Sequence, residues 1–549
     1  MKISYKHILE RINSCPGIED ISEGLFQLGH EHEIEDDIFV MELTPNRGDC
    51  FSLNGLLRDL AIFYNVELKP EIYKKEISPL QIDFKNNCVD GCPQISFLKI
   101  DIEDDVHIYK NELKNYFSDL KINKNNFFTD VSNFISYETG QPTHCYDANK
   151  IKNNIVLEES DQETNFLTLF NEKITLSEKN LVFKMGNEVI NLAGVVGGES
   201  TSCSKDTRSV IVECAYFKPE YIIGKSIQYD IQSDAAHKFE RGVDPECHEY
   251  VLRRFINIVK EHANIINLEL FKMNYKEFKK KNIPINVNKI NKILGTEVEI
   301  DEYKNFIKKL GFDIQNDTTL VPSHRSDISS ENDLAEEIAR VIGYDNISPK
   351  PIHISSKYLE DKNQLERKLK ELLIDNGFYE VINFPFSSIG NKSSIKIDNP
   401  LDSNKNFLRS ELRQSLIDNL LYNERRQKDS IKFFEITDIY TNSKEIKKKR
   451  VLGLIASGRV GKNYKDFSKK IDDKYIFSIL QEYIDQKDLN VQNIPRNELN
   501  TKLNNSISYL EVDIDKVSPL LSKYESISKP LENFTKYSQI SEFPSSIRD

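Results

Sequence analysis

A chain of 549 residues is too long for one hydrophobic core, and 39% hydrophobic with 29% charged residues is the balance of a folded, multidomain protein. Its net charge of −13 argues against non-specific attraction to nucleic acid, so any such contact must come from a local basic surface or a partner chain. No apolar run is long enough to span a bilayer, and MKISYKHILERI is interrupted by Lys6, His7, Glu10 and Arg11, unlike a signal peptide. The eight cysteines are scattered. Cys88 and Cys92 lack the second pair of a zinc site, so reduced thiols in a cytoplasmic protein are expected.

The first 78 residues predict a small α/β unit. Ile18, Ile21, Leu25 and Leu28 form a helical stripe closed by Gly29. A strand at 38–43 follows, then TPNRGDC as a turn. Leu53, Leu56, Leu57 and Leu60 mark a second helix, with Asp49 or Ser52 as its cap.

Residues 79–278 predict a β-rich domain, with short runs NIVLEE, FLTLF, NLVFKM and VIVECAYF between turns. Three motifs cluster in it: DVSNFISYETGQPTHCYD, NLAGVVGGES, and the stretch from VIVECAYF to SDAAHKFERGVDPE. The glycines of the second permit close backbone approach. Glu213 interrupts an apolar strand, and a buried carboxylate needs a partner. His144 alone is as compatible with a structural hydrogen bond as with catalysis.

Lys279, Lys280 and Lys281 mark a solvated boundary. Residues 282–350 predict a small α/β or winged-helix-like module around one well-signalled helix. Ser330 and Asp333 form a capping box, and Gly343 stops the run. Leu334, Ile338, Val341 and Ile342 make its apolar stripe. Asp333, Glu336 and Glu337 share another face, with Asp327 just upstream. Four carboxylates near one spot suit a hard cation such as Mg²⁺ or Ca²⁺. Acidic residues at a helix start are also favoured by the macrodipole without any metal.

Residues 351–535 predict an α/β module: a helix at 362–376, a strand VINFPF, the segment DNPLDSNKNFLRSELRQSLIDNLLYNERR, and a strand IKFFEITDIY. Arg409 and Arg413 are expected at a helix surface or in interface salt bridges.

Taken together, R-S-D…N-D-L-A-E-E-I-A-R-V-I-G-Y-D, T-P-N-R-G-D-C with its downstream R-D-L, the three motifs of 79–278, and N-P-L…L-R-S-x-L…F-F-E-I resemble the β subunit of bacterial phenylalanyl-tRNA synthetase. The resemblance runs nearly the whole chain. It implies an α+β multidomain fold with an N-terminal α/β unit (1–78) and a β-rich editing domain (79–278). A small metal-bearing module (282–350) and a non-catalytic class II synthetase-like antiparallel sheet module (351–535) follow. KYSQISEFPSSIRD (536–549) resembles the opening strand of the family's anticodon-binding domain. The oligonucleotide-binding-type barrel that many relatives insert after the segment Gly29 to Glu33 is missing.

The resemblance further implies partnership with an α subunit, as two α and two β chains, that binds ATP and charges tRNA for phenylalanine. It implies Mg²⁺ at Asp327, Asp333, Glu336 and Glu337, near that subunit. It also implies hydrolytic editing of Tyr-tRNA at Ser132, His144, Ala193, Gly197, Glu213 and Ala235. Glu213 would read the tyrosine hydroxyl, and Gly197 and Ala235 would leave room for the ring. His144 and Ser132 would orient the terminal adenosine or a water. Ser132 stands where the family usually has Thr, and Ala236 where it usually has Ser. The alternatives are a scaffold subunit that has lost editing, and a free-standing hydrolase.

Overall fold

The computed structural model describes residues 1–349 and 364–517, apart from Lys69, Asn153, Glu178, Lys392, Asp429, 443–445, Lys462, Tyr464, Asn500 and Lys502. The stub expected at 536–549 and the start of the helix expected at 362 lie outside them. The chain is a mixed α/β protein with several sheets, divided into two compact units, Met1–Ile352 and His353–Asp549. Among the described residues no helix is long and apolar enough to cross a membrane.

The first unit begins with a three-stranded antiparallel sheet, Lys2–Ser4 and Glu31–Glu35 flanking Ile38–Glu42. Helix Ile18–Gln27 ends at Gly29 with φ +81°. The Gly29 and His30 amides donate back to Phe26 and Leu25, which closes the helix end as a Schellman turn. Ser52 caps helix Leu53–Leu60, its Oγ accepting from the Gly55 amide at 3.0 Å. Asp49, the other candidate cap, binds Arg47 instead.

Two five-stranded sheets follow. The first runs in the order Ser78–Pro79, Ile265–Asn274, Gln94–Ile102, Ser209–Tyr216, His144–Asp147. Alternation along Ser209–Tyr216 decides which face each residue serves. Val210, Val212 and Cys214 pack under helices Phe127–Thr139 and His248–His262, in a cluster that also takes Ile3, Phe39 and Leu56. Ile211 and Ala215 belong to a second cluster, with Leu157, Phe183, Ile190 and Leu192 of the other sheet. That sheet runs Val196–Gly197, Glu188–Leu192, Asn180–Met185, Ile155–Ser160, Phe84–Asn86. The strand expected over FLTLF (166–170) lies two residues earlier, at Thr164–Leu167. The chain turns immediately after it, with the Thr168 amide on Glu172 O and Asn171 at positive φ.

A small three-stranded sheet with Thr318–Leu320 at its centre is covered by helices Val287–Leu294, Ile300–Lys309 and Glu331–Ile342. The capping box at Ser330 and Asp333 is formed.

The second unit is a five-stranded sheet in the order Tyr379–Glu380, Ile431–Asn442, Ile446–Ser457, Ile507–Asp513, Gln492–Ile494. Leu452, Leu454 and Ala456 pack on one face beside helices Gln364–Asp375 and Asp473–Leu480. Val451 and Ile455 pack on the other, beside helix Arg413–Glu424. A Cβ at Gly453 would fall 2.6 Å from Leu412 Cδ1, so glycine lets that helix approach. The single strand expected over VINFPF does not form: 381–385 run between two short strands, Tyr379–Glu380 and Phe386–Ser387, which pair with different partners. Pro385, with no N–H to donate, lies in the break. Arg409 is not at the surface: it is buried, donating to Glu435 Oε1 at 2.8 Å and Asp438 O at 3.2 Å.

Candidate functional site

Antiparallel pairing brings the strand Ser209–Tyr216 beside His144–Asp147, with Glu213 opposite His144 and Ile211 opposite Tyr146. His144 and Tyr146, two residues apart, therefore project to the face that carries Glu213. Tyr146 Oη donates to Glu213 Oε2 at 2.7 Å. Asn191 Nδ2, from the other sheet, donates to Tyr146 Oη at 2.8 Å and to Glu213 Oε2 at 3.3 Å. Glu213 is 3% exposed. Burial pushes its carboxyl up to about 7, against the lowering effect of the two hydrogen bonds. Burial pulls the His144 imidazole down to about 4.

Gly197 pairs with Asn191 across its sheet. A Cβ there would lie 2.1 Å from His144 Cε1 and 2.7 Å from Nε2, so the ring occupies the space a side chain would need. The His144 and Tyr146 rings meet edge to face at 4.4 Å. His144 Nε2 is buried without a hydrogen-bond partner. The structure thus brings three expected residues together: Glu213, His144 and Gly197. Ser132 stands one step behind. Its Oγ donates to Thr143 O at 2.6 Å and lies 2.7 Å from Thr143 Oγ1, next to His144 in the chain. Ala193 and Ala235 belong to the apolar cluster shared with Ile211. Ser233 caps the helix of Ala235 and donates to Val195 O at 2.5 Å, tying that helix to the turn after Ala193. With Ser132 bonded to Thr143, no hydroxyl among the described residues is paired with His144 as an activated nucleophile.

Sequence reasoning missed Tyr146 and Asn191. Tyr146 was legible as the second same-face residue after His144. Asn191 was not, because its partners lie in another sheet.

The four carboxylates of the 282–350 module do not converge. Arg325 takes Asp327 through Nε at 2.9 Å and Nη2 at 2.7 Å, and Glu337 through Nη1 at 2.8 Å and Nη2 at 2.7 Å. Arg340 adds a 2.7 Å bond to Glu337. Burial raises the Glu337 carboxyl, but the Arg325 hydrogen bonds and the neighbouring guanidinium charges bring it down to about 2. Asp333 Oδ2 accepts from the Ser329 and Ser330 amides at 2.7 and 2.8 Å. Glu336 is exposed. The chain of charges continues through Arg340 to Asp59 at 2.9 Å, and from Asp59 to Arg47 at 3.0 Å and His30 at 2.7 Å. It joins the TPNRGDC and RDL segments to the capped helix. Among the described residues, the one trio with ligand atoms in mutual reach is His30, Cys50 and Asp59. Two guanidiniums already neutralise Asp59, which opposes a cation there.

Three family models match in chain order. They are the B3/4 domain over residues 98–264, the tRNA synthetase B5 domain over 283–344, and the phenylalanyl tRNA synthetase beta chain CLM domain over 349–506. The phenylalanine–tRNA ligase beta subunit of Psychrobacter arcticus is 29% identical over 451 residues, covering 78% of this chain and 55% of that protein. That of Ehrlichia canis is 30% identical over 461 residues, covering 79% and 56%. The chain spans about half the length of these curated relatives. A solved N-terminal fragment of the phenylalanyl-tRNA synthetase beta subunit from Pyrococcus horikoshii is 14% identical, with a TM-score of 0.36 over 62% of this chain and 99% of the fragment.

Proposed function

The chain belongs to the phenylalanyl-tRNA synthetase β-subunit family, and from that premise we propose that it serves a phenylalanine–tRNA ligase by hydrolysing wrongly attached tyrosine. In this reading an α subunit binds ATP and phenylalanine and charges the tRNA, in a complex of two α and two β chains. Residues 79–278 act as the editing domain, 282–350 as the small module, and 351–535 as a class II-like module without its own active site.

The observation that carries the reading is a buried carboxylate, Glu213, on the same face as an unpartnered histidine nitrogen. A tyrosyl ring entering there finds in Glu213 a partner for its hydroxyl. A phenylalanyl ring leaves the second oxygen of that buried carboxyl without a partner, which discriminates strongly between the two. His144, held neutral by burial, offers Nε2 to orient a water toward the ester carbonyl. The water adds to the acyl carbon, the bond to the terminal ribose breaks, and the ribose oxygen takes up a proton. Free tyrosine and uncharged tRNA result. Ser132 fixes the chain before His144 through Thr143, and no covalent intermediate forms on this chain. The scaffold alternative is not favoured, because the editing-type domain and its polar site are both present.

Ile382, Phe384 and Ile389 of the second unit are largely exposed, while the intervening Asn383 turns inward to Glu435. Exposed apolar side chains gathered along one segment suit a partner surface, and the α subunit is the partner proposed for it. Oxygen ligands suit Mg²⁺. However, Arg325 holds Asp327 and Glu337, and the helix cap holds Asp333. These residues do not fit a preformed cation site, and the hydrolysis proposed for Glu213 runs through this chain's side chains and water. The test is Tyr-tRNA deacylation by the α–β complex. Glu213→Ala is expected to slow it at least tenfold with charging by phenylalanine intact, and a variant as fast as the wild type would refute the assignment.

A further inference from the structure

We infer that Tyr146 and Asn191 fix the orientation of the Glu213 carboxyl group, leaving one oxygen free for the substrate, and thereby set the discrimination between tyrosyl and phenylalanyl esters. The inference rests on the editing role proposed for Glu213. Both donors are aimed at one oxygen. Tyr146 Oη reaches Oε2 at 2.7 Å, and Asn191 Nδ2 reaches the same Oε2 at 3.3 Å while also donating to Tyr146 Oη at 2.8 Å. Among the described residues nothing donates to Oε1. The three side chains close a triangle of hydrogen bonds, and turning the carboxyl group would break two of its sides.

The triangle is rigidly mounted. Tyr146 is fully buried and Asn191 is 3% exposed. Tyr146 sits opposite Ile211 in one sheet, and Asn191 opposite Gly197 in the other. The clamp therefore joins the two sheets at the point where His144 lies against Gly197. A buried polar network of this kind holds one geometry only while every member is satisfied.

Held in this way, Glu213 presents a single oxygen. A substrate hydroxyl can donate to Oε1 when the carboxyl is ionised, which is the stronger bond, or accept from it when protonated. A phenyl ring satisfies neither form. Without the clamp the carboxyl group can turn, and water can fill either oxygen. The preference for the hydroxyl then falls although Glu213 is still present. Tyr146 and Asn191 are positioning residues in this account, because they act through Glu213.

The experiment uses Tyr146→Phe and Asn191→Ala β chains in the complex with the α subunit. Deacylation of Tyr-tRNA and Phe-tRNA is measured for each, with kcat and KM separated and a pH profile recorded. Tyr146→Phe keeps the ring and removes only the oxygen. If it fails to fold by melting temperature, Asn191→Ala carries the test. Loss of one hydrogen bond to a buried carboxyl is expected to lower kcat/KM for Tyr-tRNA by about 10- to 100-fold. Hydrolysis of Phe-tRNA should stay at its slow wild-type rate, so the ratio collapses. The midpoint of the pH profile should move upward, because the lost bond favoured the ionised form. An unchanged ratio, or equal losses on both substrates with no shift in the profile, would overturn the clamp. If Glu213→Ala abolishes editing while Tyr146→Phe retains full discrimination, only the clamp fails. A wild-type complex that leaves Tyr-tRNA intact removes the editing assignment, and this inference with it.

Discussion

Glu213 and Glu337 are both 3% exposed, yet they answer burial in opposite ways. Glu337 keeps its charge, with Arg325 and Arg340 making four bonds to it and its carboxyl lowered to about 2. Among the described residues Glu213 has a phenol and an amide as its hydrogen-bond donors, and its carboxyl rises to about 7. A guanidinium pair compensates a buried anion fully; two neutral donors compensate it in part. The first arrangement locks elements together. The second leaves a carboxyl balanced between charged and neutral, which is what recognition of a hydroxyl calls for.

The sharpest way to break this contrast is to remove each charge in turn. Glu337→Ala leaves Arg325 and Arg340 buried without their shared counter-ion. It is expected to cost about 3–5 kcal/mol in denaturant unfolding of the first unit. Glu213→Gln keeps the shape and deletes a charge that the fold resists, so at neutral pH it should be neutral or stabilising. Equal losses for the two would show that burial alone governs both sites.

The pH dependence separates them next. The folded pKa of Glu213, about 7, lies above the ordinary 4.5, so the folded chain binds the extra proton between those values. Its contribution to stability is full below pH 4.5 and is lost as pH rises through 7. His144 runs the other way: its folded pKa of about 4 lies below 6.5, so its contribution is full above pH 6.5 and is lost as pH falls through 4. Between pH 4.5 and 6.5 the two slopes oppose each other in the wild type. Glu213→Gln removes one of them, so the variant should gain about 3 kcal/mol relative to wild type on going from pH 4.5 to above 7. Chemical denaturation across that range checks it, and parallel curves would mean that Glu213 is ionised throughout.

A smaller effect tests the packing that holds His144. Gly197→Ala places a methyl where the imidazole already is. The expected loss is about 1–3 kcal/mol from overpacking, with editing of Tyr-tRNA impaired because the ring must move. A stable variant that edits normally would show that His144 has room to retreat.

These two carboxylates also mark how far the sequence could be read. Glu213 was legible as an anomaly: an acid in the apolar run VIVECAYF must have partners. The glycines of NLAGVVGGES were legible as a place of close backbone approach, but not that His144 fills the space at Gly197. Helices with caps and stripes, such as Ile18–Gln27 and Glu331–Ile342, follow local rules that one segment carries by itself. Glu337 was not legible as buried. Its spacing from Asp333 and Glu336 suggests one acidic face, but the helix is turned so that Glu337 meets Arg325 while Glu336 faces water. The partners Asp59 and Arg340 are 281 residues apart, and Asn191 reaches Glu213 across two sheets. No local period encodes such pairings. The break at Pro385 was encoded, since proline within a strand pattern is a warning against one continuous strand.

The smallest expected effect bears on the carboxylate that belongs to neither extreme. Asp333 is partly exposed, and its Oδ2 collects the Ser329 and Ser330 amides at the start of its helix. Burial raises its carboxyl, and the four serine bonds outweigh this and lower it. That is the work of a cap, so Asp333→Ala should cost about 1 kcal/mol, read as a modest fall in melting temperature. Adding Mg²⁺ distinguishes a cap from a ligand. If Asp333 only caps, the ion shifts wild type and variant alike. If Asp327, Asp333, Glu336 and Glu337 gather a cation, Mg²⁺ must draw Asp327 and Glu337 away from Arg325, and it should raise the melting temperature of the wild type alone. Because breaking those buried pairs is costly, the expected outcome for this chain by itself is no selective shift. A selective shift appearing only after the α subunit is added would place the missing ligands on that partner.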